Sequence, residues 1–193
     1  MGIKVVESNN NLIALCNISN ATAYGIYLSS SSKNQIATCN LYKNGYGVYL
    51  VASSENEISS CNFINNTGPG VTMDSASRNN TVYYNNFILN GIGKEGIIQA
   101  YDAGERNLWY LPTRETLVTH SSYGEGNFWI DYRGDDANKD GVGDTPYNIS
   151  GPSHGQDLYP LVDACKWDEW FSIRCGTRDD PWVRVPTPEF YLD

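Results

Sequence analysis

"NQIATCNLYKNGYGVYLVASSENEISSCNF", residues 34–63, opens and closes on one phrase, N-x-I-x-x-C-N followed by an apolar residue, at Asn34 and again 22 residues on at Asn56. Between the two lies a second phrase, "YGVYLVAS" from Tyr46, in which Val48 and Leu50 alternate with Tyr49. Alternation with a period of two marks a strand with one face buried. A unit of about 22 residues made of such short strands and polar turns cannot enclose a core alone, so copies must stack.

The copies are present on both sides. The first phrase recurs as "NLIALCNI" at 11 and "NTVYYNNF" at 80, giving steps of 23, 22 and 24 residues. The second recurs as "YGIYLSSS" at 24, "PGVTMDSA" at 69 and "EGIIQAYD" at 95. Coils hydrogen-bonding one another about 4.8 Å apart form a single-stranded parallel β-helix, an all-β fold. A leucine-rich repeat has a similar period but needs leucines at fixed offsets and a helical return, which these phrases lack.

Stacking turns distant letters into neighbours. It predicts an inward column of Ile26, Val48 and Val71, another of Ile13, Ile36, Ile58 and Val82, and two polar files, Cys16–Cys39–Cys61–Asn85 and Asn17–Asn40–Asn62–Asn86. Stacked amides bond along the axis, which accounts for the abundance of asparagine. The three cysteines read as packed thiols of an inward ladder rather than a redox or metal site, since no histidine accompanies them. "GIKVVESNNNLI" at Gly2 overlays "GIYLSSSSKNQI" at Gly25, so the repeat starts in mid-coil, and that coil end is expected to stack on preceding coils or on a partner.

The segment "DDANKDGVGDTPYNI", residues 135–149, is different in kind. Asp136, Asn138 and Asp140 fall at positions 1, 3 and 5 of a calcium loop, Gly141 at 6, the Val142 carbonyl at 7 and Asp144 at 9. The bidentate glutamate of position 12 is replaced by Tyr147. Clustered oxygen ligands suit a hard cation, and calcium as a structural staple is the expectation. Thr145-Pro146 stops any following helix, which argues against a paired sensor module.

The phrase "GNFWIDYRGDDANKDGVGDTPYNISGPSHGQDLYPLV", residues 126–162, together with the N-x-I-x-x-C-N coils, resembles the NosD-like branch of the carbohydrate-binding and sugar-hydrolase β-helix superfamily. Asn127, Trp129, Asp131, Tyr132, Gly141, Gly143, Asp144, Thr145, Pro146, Tyr147, Tyr159, Pro160 and Leu161 carry the resemblance. It implies a right-handed β-helix whose last coil is capped by a calcium-pinned loop, in prokaryotic surface or periplasmic proteins. The cysteine file departs from the pattern, where the family more often stacks asparagine. Copper delivery is not carried over, because His120, His154, Met1 and Met73 offer few imidazole or soft ligands.

The organisation expected is coils over 1–125, a capping segment over 126–162 and an aromatic tail over 163–193, in which Cys165 and Cys175 could form a disulfide in an oxidising space. With 13 Lys plus Arg against 22 Asp plus Glu, a net charge of -9 disfavours nucleic acid as a partner, and no apolar run spans a bilayer. An extracellular or cell-surface location follows from the resemblance. Two functions compete. In one, Tyr24, Tyr27, Tyr46 and Tyr49 form an outward aromatic strip that holds a polysaccharide or another protein, or the module assembles with itself through coil ends or tail. In the other, Asp74 and Asp102 act as a carboxylate pair in a polysaccharide lyase, hydrolase or epimerase, against the plainer reading that both cap turns.

Overall fold

The structure, a computed structural model, describes residues 1–93, 96–112 and 126–165. The tail with its tryptophans, Cys175 and His120 lie outside the described residues. The first coil comprises β1 (Ile3–Val6), β2 (Leu12–Ala14) and β3 (Asn17–Ser19); the second β4 (Tyr24–Ser29), β5 (Gln35–Ala37) and β6 (Asn40–Tyr42). The third has β7 (Tyr46–Val51), β8 (Glu57–Ser59) and β9 (Asn62–Ile64), and the fourth β10 (Val71–Met73), β11 (Thr81–Tyr83) and β12 (Asn86–Ile88). A hairpin, β13 (Ile92–Gly93) with β14 (Gly96–Ile97), then interrupts the winding before β15 (Ala100–Asp102) and β16 (Phe128–Trp129) resume it, and β17 (Tyr147–Asn148) pairs with β18 (Gln156–Asp157) near the end.

Three parallel sheets follow: β1-β4-β7-β10-β15, β2-β5-β8-β11 and β3-β6-β9-β12-β16. The chain is therefore an all-β parallel β-helix of about four turns with no helix among the described residues. Ile26 pairs with Val48 and Val48 with Val71, all fully buried, and Ile13, Ile36, Ile58 and Val82 form the second column in register. Phe63, Phe87, Trp129 and Tyr147 continue the interior as a ring stack with centroid spacings of 4.9, 4.2 and 4.2 Å. Glycine at the start of the second phrase is required sterically: a Cβ on Gly47 would collide with the Gly70 carbonyl and, at 2.7 Å, with the Phe63 ring.

One expected register is corrected. The repeat phrase at Glu95, in step through Gly96, puts Ile97 beside Val71, but Val71 pairs with Ala100. The extra residues are spent in the β13–β14 hairpin, and Gln99 takes the inward place.

Each coil turns on left-handed residues that are not glycine. Leu15, Thr38, Ser60 and Tyr84, with φ from 52 to 56°, stand immediately before Cys16, Cys39, Cys61 and Asn85. Asn10, Lys33, Glu55, Asn79 and Arg106 stand likewise before Asn11, Asn34, Asn56, Asn80 and Asn107. Such conformations cost about 1–2 kcal/mol each, and the inward polar residue that follows offsets them. Asn34 Nδ2 donates to Asn56 Oδ1 at 3.0 Å, Asn56 to Asn80 at 3.0 Å and Asn80 to Asn107 at 3.0 Å, while each backbone N–H bonds the same oxygen of the next coil.

Candidate functional site

The inward amide files run one way, since each carboxamide accepts from the coil before and donates to the coil after, whereas the outward file Asn17–Asn40–Asn62–Asn86 donates back to the coil before. A file so directed is ended without an unpaired donor by a side chain that only accepts, and an ionised carboxylate provides it. Asn107 Nδ2 donates to Asp102 Oδ1 at 2.9 Å, with Gly104 N at 2.8 Å on the same oxygen and Trp109 Nε1 at 3.1 Å on the other. The serine file Ser8–Ser31–Ser53–Ser77 ends on Asp74, whose Oδ1 accepts Ser77 Oγ at 2.8 Å and the Ala52 and Ala76 amides. The file of Cys16, Cys39, Cys61, Asn85 and Asn127 ends on Asp157 Oδ2, which Asn127 N reaches at 2.7 Å and Trp129 Nε1 at 2.9 Å. Asp157 is fully buried, and burial pushes its carboxyl up to about 6 despite the N–H donors that favour the ionised form. The fourth file, Asn44–Asn66–Asn90, ends on Gln99, whose Nε2 is buried without an acceptor.

Asp74 and Asp102 are thus placed on neighbouring coils but not on one face. Met73 pairs with Asp102, both buried, and Asp74 follows in the half-buried turn. Asp102 is 1% exposed with both oxygens engaged, so it has no access to a bound sugar. Nothing in the residue type distinguishes Asp157 from a surface aspartate; the inward register of Asn85 and Asn127 is the signal that finds it.

On the outer side of the first sheet the tyrosines do meet. Tyr24 pairs with Tyr46 and Tyr27 with Tyr49. Ring centroids lie 5.1 Å apart for Tyr24–Tyr27, 5.0 Å for Tyr24–Tyr49, 5.3 Å for Tyr46–Tyr49 and 6.3 Å for the stacked Tyr27–Tyr49 pair. All four are half-buried. Burial first, then the neighbouring tyrosines and Asp74, raise the Tyr49 hydroxyl above its ordinary value. Beside Tyr46 opens a hollow of roughly 460 Å³ bordered by Asn20, Lys43 and Thr67.

In the acidic loop the oxygens face backbone amides. Asp136 accepts from Asp140 N at 3.1 Å and Gly141 N at 3.1 Å, Asp140 from Val142 N at 2.9 Å, and Asp144 from Ala137 N at 2.8 Å. Asn138 Nδ2 donates to Asp140 Oδ2 at 2.8 Å. No group of three His, Cys, Asp or Glu side chains is gathered around one centre among the described residues. The loop is tied to the closing strand: Gly143 N bonds Pro160 O at 2.8 Å, Val162 N bonds Gly141 O at 3.1 Å, and Val142 bridges Leu161. Beyond it, Cys165 N and O grip the Asn86 amide at 2.8 and 2.7 Å, as a next coil would. Cys165 is disulfide-bonded, and the expected partner Cys175 falls outside the described residues.

The thiol corner is the soft-donor cluster among the described residues. Cys39 N donates to Cys61 Sγ at 3.4 Å, and the thiols donate to carbonyls of their own coils, Cys16 to Ala14 at 3.2 Å, Cys39 to Ala37 at 3.3 Å and Cys61 to Ser59 at 3.2 Å. Cys39 and Cys61 are fully buried and Cys16 is half-buried. Burial raises Cys61 well above the ordinary thiol value, whereas the hydrogen bond that Cys61 offers lowers Cys39.

Comparison with known proteins finds one family for the coils. The family model described as "Periplasmic copper-binding protein (NosD)" matches residues 1–134. No curated protein and no solved structure matches the chain.

Proposed function

The chain belongs to the periplasmic copper-binding protein (NosD) family, and on that footing we propose that it is an envelope-side or extracellular β-helix module that binds rather than catalyses, with a glycan held on its tyrosine face. The observation that carries this reading is the contact of four tyrosine rings, Tyr24, Tyr27, Tyr46 and Tyr49, on the outer side of a sheet whose inner side is already filled. Rings held by backbone pairing in successive coils present a broad apolar surface edged by hydroxyls at little entropic cost, which suits stacking of sugar rings. The non-catalytic half of the reading is supported by the engagement of Asp102 in the core and of Asp74 in its turn.

Pull-down on insoluble polysaccharides and titration with soluble ones test it. Tyr27→Ala and Tyr49→Ala are expected to abolish retention while leaving the melting curve within a few degrees of the parent. Retention unchanged in both variants would refute the tyrosine face as the binding surface, and release of reducing or unsaturated sugars by the parent would refute the non-catalytic reading.

Calcium in the 136–144 loop is part of the same proposal. An oxygen that accepts one N–H keeps a second lone pair, so the bonds within the loop leave Asp136, Asp140 and Asp144 able to turn toward a cation. Because the loop is joined to the closing strand, a cation there would brace the last coil. Millimolar calcium is expected to raise the melting temperature and chelator to lower it, with Asp140→Ala insensitive to both. Copper, which the family description names, needs a donor set of its own, and its monovalent ion prefers sulfur. The residues of the thiol corner fit that preference.

A further inference from the structure

We propose that Cys16 and Cys39 form a two-coordinate site for Cu(I), with Cys61 behind them as a positioning residue. The two sulfurs occupy equivalent places on consecutive coils, since Ala14 pairs with Ala37 two residues before them and Asn17 with Asn40 one residue after. Coils repeat every 4.8 Å or so, and two metal–thiolate bonds of about 2.3 Å laid end to end span about 4.6 Å. An ion between such sulfurs therefore asks for little movement of the backbone. A parallel, in-register pair also favours it over a disulfide, which needs the two Cβ atoms drawn in to about 3.8 Å.

The surroundings suit a soft monovalent ion and no harder one. No carboxylate or imidazole joins the thiols, as the absence of any three-membered His, Cys, Asp or Glu group among the described residues requires, so a tetrahedral zinc shell cannot be completed from them. Cys61 sits one coil further on, where its sulfur accepts the Cys39 backbone N–H at 3.4 Å and so holds Cys39 in place from behind. Cys16 is half-buried, and gives the ion a way in that the fully enclosed Cys39 and Cys61 lack. Binding is a simple exchange: Cu(I) enters already reduced, two sulfur–copper bonds form, and the two thiol protons leave to solvent.

The experiment uses the full chain, reduced and free of oxygen, offered Cu(I) held by a chromogenic chelator. The parent is expected to remove one equivalent, to gain a thiolate-to-copper band in the near ultraviolet and to melt at a higher temperature. Cys16→Ser and Cys39→Ser are each expected to lose the transfer and the band, whereas Cys61→Ser keeps both with affinity lowered by about tenfold. Should Cys39→Ser fail to fold, Cys16→Ser decides alone, because its half-buried position tolerates the change. Failure of the parent to take copper, or transfer to Cys16→Ser equal to the parent's, overturns the site. Tyr49→Ala is expected to bind copper normally, which separates this site from the tyrosine face.

Discussion

Two corners of the same coil solve one steric problem with different chemistry. At one, Asn11, Asn34, Asn56, Asn80 and Asn107 run to Asp102; at the other, Cys16, Cys39 and Cys61 precede Asn85, Asn127 and Asp157. From Asn11 to Asn107 and from Cys16 to Asn85, each member follows a left-handed residue. The asparagine does three jobs there: Asn56 Oδ1 accepts from Asn34, and Asn56 Nδ2 donates both to Asn80 Oδ1 and to Ser31 O, at 3.0 Å each. A cysteine fills the space but accepts weakly and donates once. The lesson is that the coil corner demands volume and an acceptor for one N–H, while the full amide ladder adds stability that the corner can forgo.

That contrast breaks most visibly at Asn56. Asn56→Ala leaves the Asn34 backbone N–H without an acceptor, the Asn34 amide with the Ser8 carbonyl alone and the Ser31 carbonyl without its donor, so a loss of about 3–5 kcal/mol is expected in urea denaturation. A loss near 1 kcal/mol would show that the corner tolerates an unpaired file.

The carboxylate at the end of the cysteine corner adds a dependence on pH. Asp157 titrates near 6 when folded, against about 3.9 in an unfolded chain. Between those values the folded protein holds more protons than the unfolded one, so this group's contribution to stability falls as the pH rises from about 4 to 6, by roughly 3 kcal/mol. Asp157→Asn is expected to flatten that slope and to cost about 2 kcal/mol at pH 7, where its amide meets N–H donors. Denaturation profiles of parent and variant across that range, subtracted, isolate the effect.

Smaller changes sharpen the comparison. Cys39→Ala removes one sulfur and with it only a weak acceptor of the Cys16 backbone N–H, so a loss of about 1 kcal/mol is expected, well below that of Asn56→Ala. Cys61→Asn extends the ladder by one member, since its amide would reach Asn85 Oδ1 and its oxygen would accept Cys39 N; a gain of up to about 1 kcal/mol is expected in the same assay. A loss in its place would mean that the cysteine corner is too narrow for the amide.

The interior columns were legible because the phrase N-x-I-x-x-C-N fixes them by spacing: Ile36 above Ile13 follows once coils are assumed to stack. The outward tyrosines were legible for the same reason, through the alternation in "YGVYL". The β13–β14 hairpin was not, because Gly96 mimics the glycine of the repeat while its φ of 123° serves a turn. Nor were the corners. Thr38 is β-branched and has no intrinsic reason to adopt φ 52°; it does so because the pairing on either side leaves no other path.

By itself the sequence determined the repeat, the inward and outward letters and the order of the cysteine and outer asparagine files, since these depend on spacing alone. Only the tertiary structure decided that serine and inner asparagine files run beside them, and that Asp74, Asp102 and Asp157 end the serine, inner asparagine and cysteine files. The reason is physical: an acceptor-only group is defined by the donors aimed at it, and the donors Ser77, Asn107 and Asn127 reach those carboxylates only after the coils have closed.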